Sequence, residues 1–266
     1  MHRKKIVVKI ICIVVPVLLI VGVLSFFKWN RFYNKSNLIN KYLVDNTKEV
    51  YVLGTIGKKH FDKVKNYSME DLLSAIENID PDLVLIDARE DHFKDNGIID
   101  GDIDMCVTYS YCFEHDIPIE MVDWWVIDNI YPVTSTTNLR DDNIFIKINR
   151  RLKSVEPNSR TLVVCNSSHV YNQLSRFNVS GYRHQKIQDK KKYFVSKHEE
   201  FDFPLLASKI WKDRLYFYAY TFPKLLEDNE FLDDKVKNKF LNADHDSFYR
   251  KGIKYCTYLN NDILYK

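Results

Sequence analysis

The chain has 266 residues, 45% hydrophobic and 14% aromatic, which is enough to bury one sizeable core and argues against intrinsic disorder. Its 39 lysines and arginines against 36 aspartates and glutamates give a net charge of +3, and part of that excess sits in the first 41 residues. No concentrated basic face is left for a nucleic-acid partner, and Lys190-Lys191-Lys192 reads as a solvated loop.

In chain order, Ile6 to Phe27 is apolar apart from Lys9 and Ser25, and Ile10 to Phe27 carries no charge. At about 1.5 Å per residue, such a helix crosses most of a hydrocarbon core of about 30 Å. His2, Arg3, Lys4 and Lys5 flank it, it exceeds the apolar stretch of a cleaved signal, and no small-x-small site follows. Residues 1–28 are therefore expected to be an uncleaved transmembrane signal anchor. Basic residues stand on both sides of it, and the short N-terminal tail favours a single-pass protein with its main domain outside the cytoplasm. Residues 29–48, polar and asparagine-rich, read as a stalk, and residues 49–266 as one α/β domain.

The first strand expected is Glu49-Val50-Tyr51-Val52-Leu53, stopped by Gly54. Ser68-Met69-Glu70-Asp71 resembles a capping box that opens a helix with Leu72, Leu73, Ile76 and Ile79 on one face. Asp82-Leu83-Val84-Leu85-Ile86 reads as a buried parallel strand, because its apolar run is almost continuous. A helix over Ile103 to Glu114, a strand over Ile117 to Val122 and a helix around Asn143 to Leu152 follow. Next come a strand over Thr161 to Cys165 and a helix over His169 to Phe177. Strand starts about 33, 35 and 44 residues apart suit βαβ units, so the core is expected to be a mostly parallel sheet with flanking helices. From Phe201 onward the pattern is helical and aromatic and predicts a C-terminal helical cover, with Gly252 to Leu264 either helix or edge strand. Cys106, Cys112, Cys165 and Cys256 lack metal-knuckle spacing; Cys106 and Cys112 read as buried thiols on one helix.

Ligands of open parallel sheets bind beyond the carboxyl ends of the strands. Those ends carry Thr55, Lys58 and His60; Asp87, Arg89, Glu90 and His92; Asp123, Trp124 and Trp125; and Asn166, Ser168 and His169. The first loop is no nucleotide cradle. Val52 stands where a Walker A loop needs its first glycine, Lys59 follows Lys58 where Ser or Thr belongs, and Ile56 replaces the second glycine of a dinucleotide fingerprint. There is no G-x-S-x-G elbow and no H-E-x-x-H. His60 is either a ligand or a solvent-facing loop residue. Asp87 and Glu90 either pair with Arg89 or Arg140 as structural ions or serve a site. Trp124 and Trp125 read as packing walls.

"YVLGTIGKKHFD", "YSMEDLLSAIENIDPDLVLIDARED", "DGDIDM", "DIPIEMVDWW" and "LVVCNSSHVYNQLSRFNVSGY" resemble, in order, successive blocks of the TraB/PrgY family. That family belongs to a wider grouping with TIKI proteases, ChaN haem-binding lipoproteins and erythromycin esterases, and the resemblance covers about residues 49–182. Gly54-Thr55-Ile56 matches the family's first block; Gly57 stands where a first histidine is usual, and His60 matches a second. Asp87 and Asp104 stand where glutamates are usual, while Asp123, Arg140 and His169 match.

The resemblance implies a metal-dependent hydrolase, with peptides as candidate substrates, whose catalytic set is His60, Asp87, Glu90, Asp123 and His169. His60, Asp87 and His169 would hold a divalent Mn, Co or Zn ion that activates water. Gly54, Thr55, Arg89, Asp104 and Arg140 complete the candidates. Gly57 argues for an altered or inactive site. The alternative is a catalytically inactive protein of the same fold that binds a peptide or small ligand, as a pheromone-restraining protein does; a haem-binding protein is the third reading.

Overall fold

The computed structural model describes residues 34–127, 129–130, 138–199 and 202–260. The chain is α/β, built on a six-stranded, mostly parallel sheet. Its strands are β1 (Ile39–Val44), β2 (Lys48–Thr55), β3 (Leu83–Ile86), β4 (Ile119–Met121), β5 (Arg160–Asn166) and β6 (Arg183–Gln185), in the order β4-β3-β5-β2-β1-β6. β2, β3, β4 and β5 run parallel, with Val52 opposite Val163, Val84 opposite Leu162 and Ile86 opposite Met121. β1 lies antiparallel between β2 and β6.

Continuous apolar strands require cover on both faces, and the helices supply it. Tyr51, Leu53, Val84, Ile86, Leu162 and Val164 join one cluster with α1 (Met69–Ile79), α3 (Ile103–Glu114), α6 (Ala207–Tyr216) and α9 (His245–Asn260). Val50, Val52, Leu83, Leu85, Val163 and Cys165 join the other with α4 (Asn138–Ser154) and α5 (Ser167–Val179). α1 starts on the expected capping box: Asp71 N donates to Ser68 Oγ at 3.1 Å and Ser68 N to Asp71 Oδ2 at 2.8 Å. Short α2 (Glu90–Asn96) follows β3. A π-helical turn, Phe217–Thr221, joins α6 to α7 (Phe222–Glu227), and α8 (Asp234–Leu241) precedes α9. Cys106 and Cys112 are buried free thiols on α3, and residues 252–260 are helical.

Two expectations change. Residues 39–44, assigned to a stalk, form β1: their apolar residues are diluted by polar ones, yet Ile39 enters one core cluster and Tyr42 and Val44 the other. The expectation of a single-pass membrane protein with its main domain outside the cytoplasm is corrected, because no helix among the described residues is long and apolar enough to cross a membrane. The segment 6–27 that prompted it, with the anchor assigned to residues 1–28, lies outside the described residues.

Candidate functional site

β3 and β5 are neighbours, but the chain leaves β3 toward one core cluster through α3 and leaves β5 toward the other through α5. Connections that part to opposite faces open a crevice at the strand ends. A cavity of about 230 Å³ lies there, lined by Asp87 after β3, Asp123 and Trp125 after β4, Asn166, Ser168 and His169 at the β5–α5 junction, and Arg140 on α4. Asp100, Gly101, Asp102, Asp104 and Met105, at the start of α3, close the remaining side.

Most of the cavity's charges are tied to one another. Arg140 donates from Nε to Asp123 Oδ1 at 2.8 Å and from Nη2 to Asp123 Oδ2 at 2.7 Å, a bidentate pair that Trp124 N joins at 2.7 Å. Burial and the neighbouring Asp87 charge push the Asp123 carboxyl up to about 6, which leaves it ionised at neutral pH. Asp87 accepts from Asn166 N at 3.3 Å through Oδ2, while its Oδ1 lies 3.5 Å from Arg140 Nη2 and accepts no hydrogen bond. Arg89 donates to Asp100 from its backbone N and its Nε, both at 2.7 Å, and stacks on the Trp125 indole with its guanidinium carbon 3.9 Å from the ring centre. Arg89 is thus a clamp for Asp100. Glu90, expected in the catalytic set, is exposed on α2 and pairs with Lys94; the first turn of that helix turns it away from the cavity lining.

His60 does not meet its expectation as a metal ligand either. Its ring is 1% exposed, Ile56 N donates to Nε2 at 3.1 Å, and Nδ1 lies 3.0 Å from the carbonyl oxygen of Tyr67. A backbone N–H makes Nε2 the acceptor, so Nδ1 carries the proton and donates to Tyr67. Both ring nitrogens are spent on the backbone. Burial pushes the pKa of this imidazole down to about 4, so it stays neutral. Gly57 adopts φ +58°, and an added Cβ would lie 2.3 Å from Asp102 Oδ2. Its N–H donates to Asp104 Oδ2 at 2.7 Å. Burial and the charge of Asp102 raise the Asp104 carboxyl to about 7. Thr55 is buried and bonds the β5 carbonyl of Cys165 at 3.4 Å, and Gly54 lets Val170 of α5 pack against β2.

His169 has the opposite environment. Its Nδ1 lies 2.7 Å from Asp141 Oδ1, while Asn172 donates to Asp141 Oδ2 at 2.6 Å and Gln173 to Oδ1 at 3.2 Å. An ionised carboxylate can only accept, so Nδ1 carries a proton and the neutral ring keeps its lone pair on Nε2. Burial opposes protonation of the ring, but the hydrogen bond to Asp141 and the charge of Asp87 outweigh it and hold the pKa above the ordinary histidine value. Ser168 cannot serve as a partner nucleophile as oriented, since its hydroxyl donates to Asn166 Oδ1 at 3.0 Å.

The crevice therefore assembles Asp87, Asp104, Asp123, Arg140 and His169, and leaves His60, Arg89 and Glu90 outside its lining. The expected ligand set His60, Asp87 and His169 does not fit a metal ion, because His60 has no free nitrogen. Among the described residues, no group of three or more His, Cys, Asp or Glu side chains is arranged to hold one. Asp141, Asp100 and Asp102 were not picked out from the sequence. Asp102, as the residue capping α3, carried a local signal: its Oδ1 accepts from Ile103 N at 2.8 Å. Asp141 carried none beyond following Arg140. Comparison of the chain with protein-family models, with curated proteins and with solved structures finds no match.

Proposed function

We propose that this chain is a hydrolase whose general base is His169, oriented by Asp141, acting on an acyl substrate bound in the crevice at the carboxyl ends of β3, β4 and β5. The observation that carries the reading is the His169–Asp141 pair at 2.7 Å, with Nε2 left as the proton-accepting atom in the wall of a cavity. The TraB/PrgY-like resemblance, in which His169 matches the histidine after the last strand, supports the same residue.

In this reading His169 Nε2 takes a proton from water as the oxygen attacks the acyl carbon, and Asp141 stabilises the imidazolium that forms. Arg140, bound to Asp123 and lining the same cavity, is the positive charge assigned to the developing oxyanion. Asp104, which lines the same cavity and holds its proton up to about pH 7, is the group assigned to protonate the leaving group.

The test is turnover of a panel of nitrophenyl esters and aminocoumarin-tagged peptide amides. For any probe that is hydrolysed, His169→Asn should lower kcat/KM at least about 100-fold, the lower end of what a positioned base contributes. The base must be neutral to act, so the rate should rise with pH through the elevated His169 pKa. Asp141→Asn removes the group that elevates it and should move this acid limb to lower pH. Unchanged turnover in His169→Asn sinks the proposal; a panel that stabilises the fold without turnover would support the ligand-binding alternative instead.

A further inference from the structure

Resting on that reading of the crevice, we infer that the part of the substrate it takes is a compact organic cation, a primary ammonium or guanidinium, seated against Asp87 and Asp102. Five aspartates line the cavity against one arginine and one histidine. Asp100 is matched by Arg89 at 2.7 Å and Asp123 by Arg140 at 2.7 Å. Both Asp104 oxygens accept backbone N–H groups, from Met105 at 3.0 Å and Gly57 at 2.7 Å. Asp87 and Asp102 remain: Asp87 Oδ1 accepts no hydrogen bond among the described residues and has only a 3.5 Å ion pair with Arg140, while half-buried Asp102 accepts from Ile103 N through Oδ1 and has its Oδ2 beside Gly57.

Asp87 points most directly to a ligand. Its side chain is 6% exposed, and its open oxygen is 3.5 Å from Arg140, beyond the roughly 2.7–2.9 Å of a charge-assisted hydrogen bond and beside a guanidinium already turned to Asp123. A buried carboxylate oxygen is unfavourable unless something donates to it. An anion would meet this surplus of negative charge, whereas an ammonium or guanidinium offers N–H donors that separate acceptors can share. A metal ion would need its donors gathered round one point, and none are so gathered among the described residues. At about 230 Å³ the cavity is smaller than the roughly 300–1,000 Å³ of sites that engulf a whole small ligand, so one group of a larger substrate enters.

Calorimetric titration of the full chain at neutral pH with glycinamide, methylguanidine and uncharged N-acetylglycinamide tests this. The two cations should bind at least tenfold more tightly than the uncharged amide. Asp87→Asn and Asp102→Asn should each weaken the cations about tenfold or more; Asp102, half-buried at the rim, is the variant expected to keep its melting temperature. Equal affinity for glycinamide and its acetylated form overturns the inference, as does Mn²⁺ binding that excludes both cations and is lost in the same variants. His169→Asn should retain cation binding. Thus cation binding without hydrolysis would refute only the hydrolase, while hydrolysis without cation preference would refute only the cation.

Discussion

His60 and His169 are the same side chain in opposite settings, and the difference lies in what faces each nitrogen. His60 gives both nitrogens to backbone groups and is held neutral by burial, with a pKa near 4. His169 gives one nitrogen to a carboxylate and lines the cavity. The His60 shift is also a statement about stability. Unfolded, the ring titrates near 6.5; folded, near 4, so between these values the unfolded chain binds more protons and stability falls as pH falls. The contribution is complete above about pH 6.5, is lost progressively toward pH 4, and is on the order of 3 kcal/mol. Urea midpoints measured from pH 7 to pH 4.5 should fall for the natural chain more steeply than for His60→Gln, which does not titrate; parallel slopes would show that His60 does not set the acid response. The histidine after β2 was visible in the sequence, but its role was not, because the acceptor of its proton, Tyr67 O, lies seven residues on in an irregular segment.

At the scale of the element, the turn after β2 explains why glycine stands at position 57. A residue with φ +58° carries little strain only without a Cβ, and here a Cβ would also meet Asp102 Oδ2 at 2.3 Å. Gly57→His, which introduces the residue usual in the family the sequence resembles, should therefore lower stability by at least about 1–3 kcal/mol in urea unfolding without creating Mn²⁺ affinity. A stable variant that gains metal binding would reverse this account. Local signals were strong elsewhere. The Ser68–Asp71 capping box and the apolar runs of β2, β3 and β5 were legible because each is satisfied within a few residues. β1 was missed because its apolar positions serve two different faces and so show no run.

At the scale of the molecule, β1 is the wall between the parallel strands and β6. It hydrogen-bonds to β2 from Ile39 opposite Leu53 to Val44 opposite Lys48, and buries Ile39, Tyr42 and Val44. A chain beginning at residue 49 should fail to fold or lose most of its stability, since β2 becomes an exposed edge and Tyr42 leaves its contact with Phe177; one beginning at residue 34 should melt cooperatively. Circular dichroism melts of the two distinguish these outcomes, and equal melting temperatures would deny β1 its place in the core. The α/β class, the parallel strands and the edge at which to search for a site followed from the sequence alone, because burial on two faces and helix capping are written in short-range patterns. Which residues meet was decided by the tertiary structure. Asp141 reaches His169 from 28 positions away and Asp87 reaches Asn166 from 79. Such pairings arise from strand order and helix placement, and the spacing of residues along the chain does not encode them.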